Sequence, residues 1–453
     1  MAAPVAAAPA PHSAPIACQR LAVIGGGWAG MAAAVALVQR GHQVSVWETA
    51  RHWGGRARAL TLHDLQGQPL TVDNGQHILI GAYTASLELM RTVGVDVEQA
   101  LLRLPLDLRD AHGNGLQLPD LPPPWDAALG IARARGWSLQ DKYALLACAA
   151  RWKRSHFRCN AHDTVADLCH GLPQRLLQDF IDPLCISALN LPAAQASGVV
   201  FLRSLHDSLF AGRGGSNLLI PRTDLGTLFP STAAQWLAAH GATLYLGQRV
   251  HSLQPQGRDA QSGWRVDGEA FDGVLLATTS AEAARLALTG AAALHDTRSA
   301  CEHWAGLADA LPHTAIATVY AQCPAGTRLP APMVALRPGA EAPAQFAFDR
   351  GQLGGPAGLM ALVISASDAL PYDRATLEAH TLAQARQQLG LPQLQALRTV
   401  VEKRATFACT PDVQRPAAHV APRLWACGDY VDGPYPATLE GAVRSGLEVA
   451  QAF

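Results

Sequence analysis

The sequence predicts an α/β protein in which a discontinuous Rossmann-like domain is interrupted by a mixed α+β domain with a helical region. Three observations support this prediction. A glycine motif joins an apolar strand to an Ala-rich helix near residue 25, a Pro-rich change of character begins at about residue 101, and short apolar strands return at 241–250 and 271–280. Because strands return after the interruption, separate parts of the chain are predicted to build the Rossmann-like domain.

The first predicted unit is a strand, turn, helix and strand built around the run Leu21 to Gly30, LAVIGGGWAG. In such a unit the first glycine makes the turn, the second lets the backbone approach a pyrophosphate, and the third lets helix pack on strand. Gly25, Gly27 and Gly30 have this spacing, and the helix N-terminus offers free N–H groups to phosphates. Glu48, at the end of the next apolar run, is predicted to accept hydrogen bonds from ribose hydroxyls. The unit predicts dinucleotide binding.

A second glycine-rich turn follows closely, with Gly54 and Gly55 beside Arg56. This arrangement is typical of another backbone approach to phosphate, with a guanidinium that can bind the same group. The alternative is an ordinary Gly-Gly turn. Its position soon after Glu48 favours a flavin dinucleotide, which spans further than NAD.

The C-terminal block Arg423 to Gly446 predicts a strand ending in Gly428 and Asp429, a Pro-rich turn, and a helix beginning near Thr438. Asp429 can accept hydrogen bonds from ribityl hydroxyls. The helix N-terminus would stabilise the negative charge on the pyrimidine edge of a reduced flavin. The alternative is that these elements only close the sheet. Cys427 is predicted to be a core residue rather than a covalent flavin anchor.

Composition excludes several classes of protein. The chain of 453 residues is 49% hydrophobic and 16% charged, which is typical of a compact protein with two domains or one large interrupted one. A net charge of -1 gives no electrostatic basis for nucleic-acid binding. The nine Cys show no CxxC pair and no zinc-site spacing, so we expect reduced, mostly buried thiols, no metal and a cytoplasmic location.

Four segments, in this order, resemble the flavin amine oxidase and carotenoid desaturase superfamily. They are the GxGxxG motif with Glu48, the turn Gly54 to Arg56, the strand VLLATT at 274–279, and the C-terminal block with Gly428 and Asp429. More narrowly, the segments DNGQHILIGAY at 73–83, CISALN at 185–190 and LLIPRTDLGTLFP at 218–230 resemble the hydroxysqualene dehydroxylase family, squalene-associated flavoproteins of bacterial hopanoid biosynthesis. The superfamily resemblance implies FAD. The narrower one implies reductive removal of the hydroxyl group from hydroxysqualene to give squalene.

The resemblance and the motifs together define the predicted domains and site. The predicted boundaries are 1–18 for a disordered Ala/Pro-rich tail, 19–100, 214–295 and 401–453 for the FAD-binding domain, and 101–213 and 296–400 for the substrate-binding domain. The predicted FAD-binding residues are Gly25, Gly27, Trp28, Ala29, Gly30, Glu48, Gly54, Gly55, Arg56, Gly75, Gln76, His77, Val250, Gly428, Asp429, Thr438 and Leu439.

Asp73, Gln76 and His77 are the predicted catalytic residues, because the resemblance places their loop against the isoalloxazine. Loss of an allylic hydroxyl needs a proton donor and exclusion of water, and reduced flavin can supply hydride. His77 is the predicted donor, since an imidazole can carry a proton near neutral pH. The alternative is a histidine that is only hydrogen-bonded inside the flavin loop.

The expected substrate is a C30 hydrocarbon whose transfer into water would cost on the order of 20 kcal/mol, at about 0.8 kcal/mol per CH₂. We therefore expect collection at the cytoplasmic face of a membrane. Residues 118–137 combine Trp125 and Trp137 with Arg133 and Arg135, a composition suited to a bilayer interface. A surface loop and helix packed on the substrate domain is the alternative. A single GxGxxG motif also implies an external electron donor, or NAD(P)H that reaches the flavin without a recognisable site of its own.

Three other functions stay open at this point. An amine oxidase of the superfamily commonly places a lysine near flavin N5, and this chain has only Lys142, Lys153 and Lys403. A carotenoid or isoprenoid desaturase shares most of the same blocks. A non-catalytic flavin or lipid carrier would also combine an FAD site with an apolar domain.

Overall fold

The structure is a computed structural model that describes residues 17–210 and 212–453, so most of the predicted tail at 1–18 lies outside the described residues. The strands, in chain order, are β1 (Arg20–Ile24), β2 (Gln43–Glu48), β3 (Ala59–His63), β4 (Pro69–Asp73), β5 (Leu79–Ile80), β6 (Leu101–Leu104), β7 (Asp107–Arg109), β8 (Gly115–Gln117), β9 (Leu218–Pro221), β10 (Thr243–Leu246), β11 (Leu253–Pro255), β12 (Trp264–Val266), β13 (Glu269–Phe271), β14 (Gly273–Leu276), β15 (His313–Gln322), β16 (Met333–Ala335), β17 (Phe346–Asp349), β18 (Leu359–Ser365), β19 (Gln395–Phe407), β20 (His419–Ala421) and β21 (Leu424–Ala426). The α-helices are α1 (Trp28–Gln39), α2 (Thr84–Thr92), α3 (Val97–Ala100), α4 (Trp125–Arg133), α5 (Leu139–Arg154), α6 (Val165–Leu168), α7 (Gln174–Leu176), α8 (Asp182–Leu189), α9 (Gly198–Phe210), α10 (Leu225–Leu228), α11 (Pro230–Ala239), α12 (Ser280–Ala291), α13 (Arg298–Asp309), α14 (Arg374–Leu389) and α15 (Leu439–Ala450).

The predicted Rossmann-like sheet is present, and distant parts of the chain build it. Its strand order is β10-β2-β1-β14-β21-β20, parallel throughout except for the pair β20 and β21. Helices α1, α11 and α15 cover one face, and α12, α13 and the small antiparallel sheet β11-β12-β13 pack in the core on the other. Both faces are buried, which explains why β1 reads as a continuous apolar run rather than an alternating one. The predicted α/β class and its discontinuous domain are confirmed.

A second sheet is antiparallel, with the strand order β16-β17-β18-β15-β19. One face packs against α14, and the other contributes Tyr320, Phe346 and Phe348 to a separate apolar core. Strand β19 pairs with β15 from Gln395 to Phe407, so the predicted domain boundary between residues 400 and 401 falls inside a strand of this sheet. Residues on both sides of the predicted position belong to the same sheet, so a domain boundary there would divide one strand.

A helical layer lies between these sheets in sequence and contains α4 to α9. The predicted helix near 137–158 is α5, whose start is fixed by a capping box between Ser138 and Asp141. Helix α8 ends at Asn190, which has φ of +54° and whose amide donates to Thr314 Oγ1 at 2.7 Å. The CISALN segment therefore ties the helical layer to the second sheet. Within the described residues, no helix combines the length and apolarity that crossing a membrane requires.

Candidate active site

The carboxyl ends of the parallel strands form a cleft, which is where α/β sheets of this kind bind ligands. Loops that follow β1, β2, β14 and β21 line this cleft, and they belong to one cavity of about 720 Å³. With the exception of Gly30, every residue that the sequence predicts to bind FAD lines this cavity. The motifs are brought together although the sequence separates them widely.

The glycine motif fits a dinucleotide for three different steric reasons. Gly25 has φ of +117°, and a Cβ there would lie 2.4 Å from the Ala277 carbonyl oxygen. A Cβ on Gly30 would lie 1.9 Å from the Gly25 carbonyl oxygen, so this glycine serves packing. A Cβ on Gly27 would meet its nearest neighbour only at 4.0 Å, in space that opens to the cavity. Gly27 therefore leaves open space beside the backbone at the N-terminus of α1, as the predicted approach of a phosphate requires.

Glu48 lies at the end of β2 with its carboxylate fixed at the cavity wall. One oxygen accepts a hydrogen bond from the Gly26 N–H at 2.9 Å, and the other accepts from the Ala50 N–H at 2.8 Å. Each carboxylate oxygen can accept more than one hydrogen bond, so both keep capacity for hydroxyl groups. The position suits the predicted contact with ribose.

Arg56 and Asp429 form an ion pair across the cleft, although 373 residues separate them. The second terminal nitrogen of Arg56 donates to the Ala405 carbonyl oxygen at 3.0 Å. Both side chains line the cavity, and the carboxylate keeps one oxygen for another partner. The sequence predicted a phosphate-side arginine and a ribityl-side aspartate, and the structure makes them partners.

Helix α15 begins where the sequence predicted, with Thr438 as its N-cap. The Thr438 hydroxyl accepts from the Gly441 N–H at 2.9 Å, and Thr438 and Leu439 line the cavity. The positive end of this helix therefore lies at the cavity wall. Cys427 is buried in the core, as predicted, and burial raises the pKa of its thiol to about 12.

The predicted catalytic loop divides into two parts. Gln76 and His77 line the cavity, whereas Asp73 is not among its lining residues. The Asp73 carboxylate accepts from the Leu225 N–H at 2.8 Å, behind the cavity wall. Burial, with a smaller contribution from the Asp224 charge, raises the pKa of Asp73 to about 7. The direct catalytic role predicted for Asp73 has no support in this geometry, because the end of β4 turns its side chain toward α10.

His77 is held by the backbone of its own loop. Its Nδ1 lies 2.8 Å from the Gly75 carbonyl oxygen, and because a carbonyl only accepts, Nδ1 carries the hydrogen. Nε2 is then the ring nitrogen available to another partner. Burial lowers the pKa of His77, opposed by the Gly75 hydrogen bond and the charge of Glu402. The imidazole is therefore neutral at neutral pH.

The Gln76 amide is oriented by Arg350, a buried residue that sequence reasoning missed. The Arg350 guanidinium donates to Gln76 Oε1 at 3.2 Å and to the Pro221 carbonyl oxygen at 3.2 Å. Because a guanidinium can only donate, the amide oxygen faces Arg350, and the amide NH₂ donates to the His77 carbonyl oxygen at 3.3 Å, which leaves one N–H for another partner. Arg350 follows β17 directly, far from the loop in sequence, and no local pattern marks it.

A further carboxylate at the cavity wall was also missed. Glu402, on β19, lies 3.3 Å from the Asn74 side-chain nitrogen and 3.6 Å from the Arg58 guanidinium. Its neighbour Lys403 is exposed and does not line the cavity. Because successive side chains in a strand point to opposite faces, a predicted strand here could have indicated that Glu402 and Lys403 point in opposite directions.

The remainder of the cavity is an apolar chamber continuous with the cleft. The second sheet forms one wall, and the helical layer forms the other. Its apolar lining residues include Leu106, Leu108, Leu116, Leu118, Ile131, Leu145, Trp152, Phe180, Leu184, Phe201, Ile316, Met333, Phe346, Phe348 and Val363. The same cavity is also lined by polar residues, among them Gln76, His77, Asn190, Asp207 and Glu402.

These features together define an FAD-dependent oxidoreductase. They are the parallel sheet, its glycine-lined cleft, the turn from Gly54 to Arg56, and the C-terminal segment that contains Asp429 and Thr438. More specifically, the chain belongs to the family of flavin containing amine oxidoreductases, whose family model matches residues 28–453. Solved structures agree on the fold. An oxidoreductase from Methanosarcina mazei is 17% identical with a TM-score of 0.68, over 95% of this chain and 100% of that one. Cyclohexylamine oxidase from Brevibacterium oxydans is 16% identical with a TM-score of 0.67, over 96% and 98%.

Curated relatives confirm the narrower resemblance. The chain is 28% identical to the hydroxysqualene dehydroxylase of Rhodopseudomonas palustris, over 94% of this chain and 96% of that protein. It is 26% identical to the enzyme of the same name from Zymomonas mobilis, over 53% of this chain and 56% of that protein. The zeta-carotene desaturase of Zea mays is 36% identical, but over only 17% of this chain and 13% of that protein.

Proposed function

We propose that this protein reductively removes the hydroxyl group of hydroxysqualene to give squalene. The observation that carries the proposal is a single cavity that joins the FAD cleft to an apolar chamber lined by the second sheet and the helical layer. Such a chamber suits a hydrocarbon chain, and the cleft suits the cofactor. The similarity to hydroxysqualene dehydroxylases over nearly the whole chain supports this substrate over others.

Bound and reduced FAD supplies a hydride. The chain's own residues then have two tasks, which are to deliver a proton to the hydroxyl oxygen and to exclude water from the carbon that receives the hydride. The carbon–oxygen bond breaks, the oxygen leaves with the added proton as water, and squalene is released. The apolar chamber excludes water, and the donor must come from the polar residues of the cavity wall.

His77 and Gln76 are the proposed polar pair. With Nδ1 bound to the Gly75 carbonyl, a protonated His77 would donate through Nε2. Burial lowers the pKa of His77 and the Glu402 charge only partly opposes this, so donation is expected to strengthen as pH falls. The Gln76 NH₂ group can donate a hydrogen bond to the departing oxygen, because Arg350 binds the amide oxygen and so fixes the orientation of the amide. Asp73 stands behind the loop and supports it through α10.

Amine oxidation is disfavoured by the lysines. None of Lys142, Lys153 and Lys403, all within the described part of the chain, is among the residues that line the cavity. Desaturation is disfavoured because similarity to a desaturase covers only a small part of the chain. We infer an external electron donor, since the single glycine motif is used by FAD.

An anaerobic reaction tests the proposal. The purified flavoprotein is reduced chemically, hydroxysqualene is added, and flavin absorbance is followed together with squalene by gas chromatography. We expect flavin reoxidation with one squalene formed for each flavin, and no reoxidation when squalene is added instead. Reduced flavin that stays reduced, while oxidised flavin converts phytoene, would instead identify a desaturase.

The same substrate implies a peripheral membrane protein on the cytoplasmic side. A C30 chain does not leave a bilayer for water at a useful rate, because its transfer costs on the order of 20 kcal/mol. The protein is therefore expected to collect hydroxysqualene from the lipid surface and to return squalene to it.

A further inference from the structure

Helices α4 and α5 are apolar on two opposite faces. On the inner face, Ile131 of α4 and Leu145 and Trp152 of α5 line the apolar chamber. The two helices contact each other, and Lys142 of α5 donates to the Ala132 carbonyl oxygen of α4 at 2.8 Å. A surface helix normally has one apolar face, toward the core, and a polar face toward water. These two helices depart from that rule.

The outer face of the pair carries large exposed apolar side chains. On α5, Leu139, Tyr143 and Leu146 follow one another at spacings of four and three residues, so they form one stripe. They are 85%, 75% and 38% exposed, and Trp125 at the start of α4 is 67% exposed. We define these four residues as the docking face. Trp125, Leu139 and Tyr143 are the most exposed large apolar side chains in the described part of the chain.

The other large apolar side chains that are exposed lie singly on other elements. They are Leu65, Val199, Leu246, Leu288 and Val401. Isolated exposed apolar residues are ordinary on a protein surface, whereas a clustered set indicates an interaction site. The cluster therefore needs an occupant.

Charge identifies the kind of occupant. Residues 125–158 contain seven Arg and Lys and two Asp, a net charge of +5, although the whole chain has a net charge of -1. On α5, Lys142 and Lys153 flank the stripe on one side and Arg154 on the other. Aromatic and aliphatic side chains beside a ring of basic ones are typical of helices that lie in the interface of an anionic bilayer.

The location differs from the segment that the sequence predicted, residues 118–137. Trp137 packs edge-on against Phe180 with ring centroids 5.1 Å apart, and Leu118 is buried. Only Trp125 of the predicted aromatic pair is free to enter lipid. The stripe on α5, rather than Trp137, supplies the other exposed apolar side chains. This exposed surface lies on the helices that line the chamber.

We propose that the docking face binds the surface of an anionic phospholipid bilayer. Its purpose rests on the proposed function, because contact there sets the wall of the chamber beside the lipid that holds an apolar substrate. Leu139 and Tyr143 enter the interface, and Lys142, Lys153 and Arg154 contact lipid phosphates. The inner residues of the same helices stay in contact with the chamber.

Flotation of the FAD-loaded protein with vesicles, without substrate, tests this proposal. The vesicles are phosphatidylcholine alone or phosphatidylcholine with 40% phosphatidylglycerol. We expect at least tenfold tighter binding to the anionic vesicles, weakened by salt. The double variant Leu139→Ser/Tyr143→Ser should lose at least tenfold in affinity. Leu288→Ser, which removes an exposed leucine elsewhere, is the matched control and should bind like the wild type.

Three results would overturn the proposal. They are absence of binding to anionic vesicles, an equal loss in Leu288→Ser, and a concentration-dependent dimer of the wild type that the double variant cannot form. Flavin absorbance and turnover of detergent-dispersed hydroxysqualene should be unchanged in the double variant, which shows that it folds. Vesicle binding without any dehydroxylation would reject the proposed function alone, whereas dehydroxylation without vesicle binding would reject the docking face alone.

Discussion

Asp73 and His77 lie four residues apart in one loop, and burial moves their pKa values in opposite directions. The pKa of the Asp73 carboxyl is raised to about 7 and that of the His77 imidazole is lowered. Both shifts favour the uncharged form, since desolvation penalises charge of either sign. The loop therefore depends on pH in two separable ways, one in stability and one in proton donation.

The pH dependence of the free energy of unfolding should reflect the ionisation of Asp73. An unfolded chain loses this proton near pH 4 and the folded chain near pH 7, so the folded state is progressively penalised as pH rises between these values. Asp73→Asn removes the penalty, and its amide oxygen can still accept from Leu225. We expect the variant to gain up to about 3 kcal/mol relative to wild type between pH 5 and pH 8. Thermal unfolding at both values measures this, and an equal difference at both would contradict it.

The pH dependence of the turnover rate should reflect the protonation of His77. A general acid acts in its protonated form, and its pKa lies below the usual 6.5, so single-turnover flavin reoxidation should accelerate as pH falls below 6.5. His77→Gln should lose about 100-fold or more in rate and flatten this profile while keeping FAD bound. A variant that keeps both the rate and the profile would limit His77 to a structural role.

At the scale of elements, helices α1 and α15 pack closely because both carry small residues. A Cβ on Gly446 of α15 would lie 2.3 Å from the Ala29 carbonyl oxygen of α1. Ala29 also lines the cavity, so the same contact positions the start of α1 at the cavity wall. Buried Glu440 adds to this arrangement by accepting from the Ser86 N–H at 2.9 Å and hydroxyl at 2.6 Å, which joins α2 to α15.

Two helical glycines should therefore respond oppositely to alanine. Gly446→Ala should lower the unfolding temperature and weaken FAD binding, because α1 must move away. Gly306→Ala, at an exposed position of α13 with no neighbour within 4 Å, should stabilise the protein by up to about 1 kcal/mol through helix propensity. Differential scanning fluorimetry and FAD titration of the apoprotein measure both. If the two variants behave alike, the tight crossing does not position α1.

Local geometry decided how much of the site the sequence could predict. Gly25, Gly27 and Gly30 were predictable because each satisfies a constraint within one short turn. Arg350 and Glu402 were not, because both belong to the second sheet and its connections, whose positions depend on long-range pairing. Arg350 contacts Gln76, and Glu402 lines the cavity. Asp73 was placed wrongly beside Gln76 because the side-chain direction at the end of β4 is set by contact with α10.

At the scale of the whole molecule, the ion pair between Arg56 and Asp429 joins the first part of the chain to the last. Breaking one member of such a pair leaves a poorly solvated charge, which costs about 3–5 kcal/mol when the pair is fully buried. The cleft is partly open on this side, with Arg56 29% exposed, so a smaller cost applies here. The pair therefore holds two distant parts of the chain together at the cleft.

A double-mutant cycle measures that contribution. Arg56→Met and Asp429→Asn should each weaken FAD binding and lower the unfolding temperature. The double variant should be less destabilised than the sum of the two, because no unpaired charge remains. Isothermal titration of the apoproteins with FAD gives the affinities. Strict additivity would mean that the two side chains act independently.

The order of the cleft residues along the chain has a consequence for biosynthesis. A growing polypeptide contains Gly25 to Arg56 early, but Asp429 is made 373 residues after Arg56, and Thr438 and the first turn of α15 follow it. The residues from Gly25 to Arg56 are therefore made long before the C-terminal segment that lines the opposite wall of the cavity. The apolar chamber is incomplete until its other walls are also made. We therefore expect stable capture of the flavin only after α15 has been synthesised, because residues from both parts of the chain line the cleft.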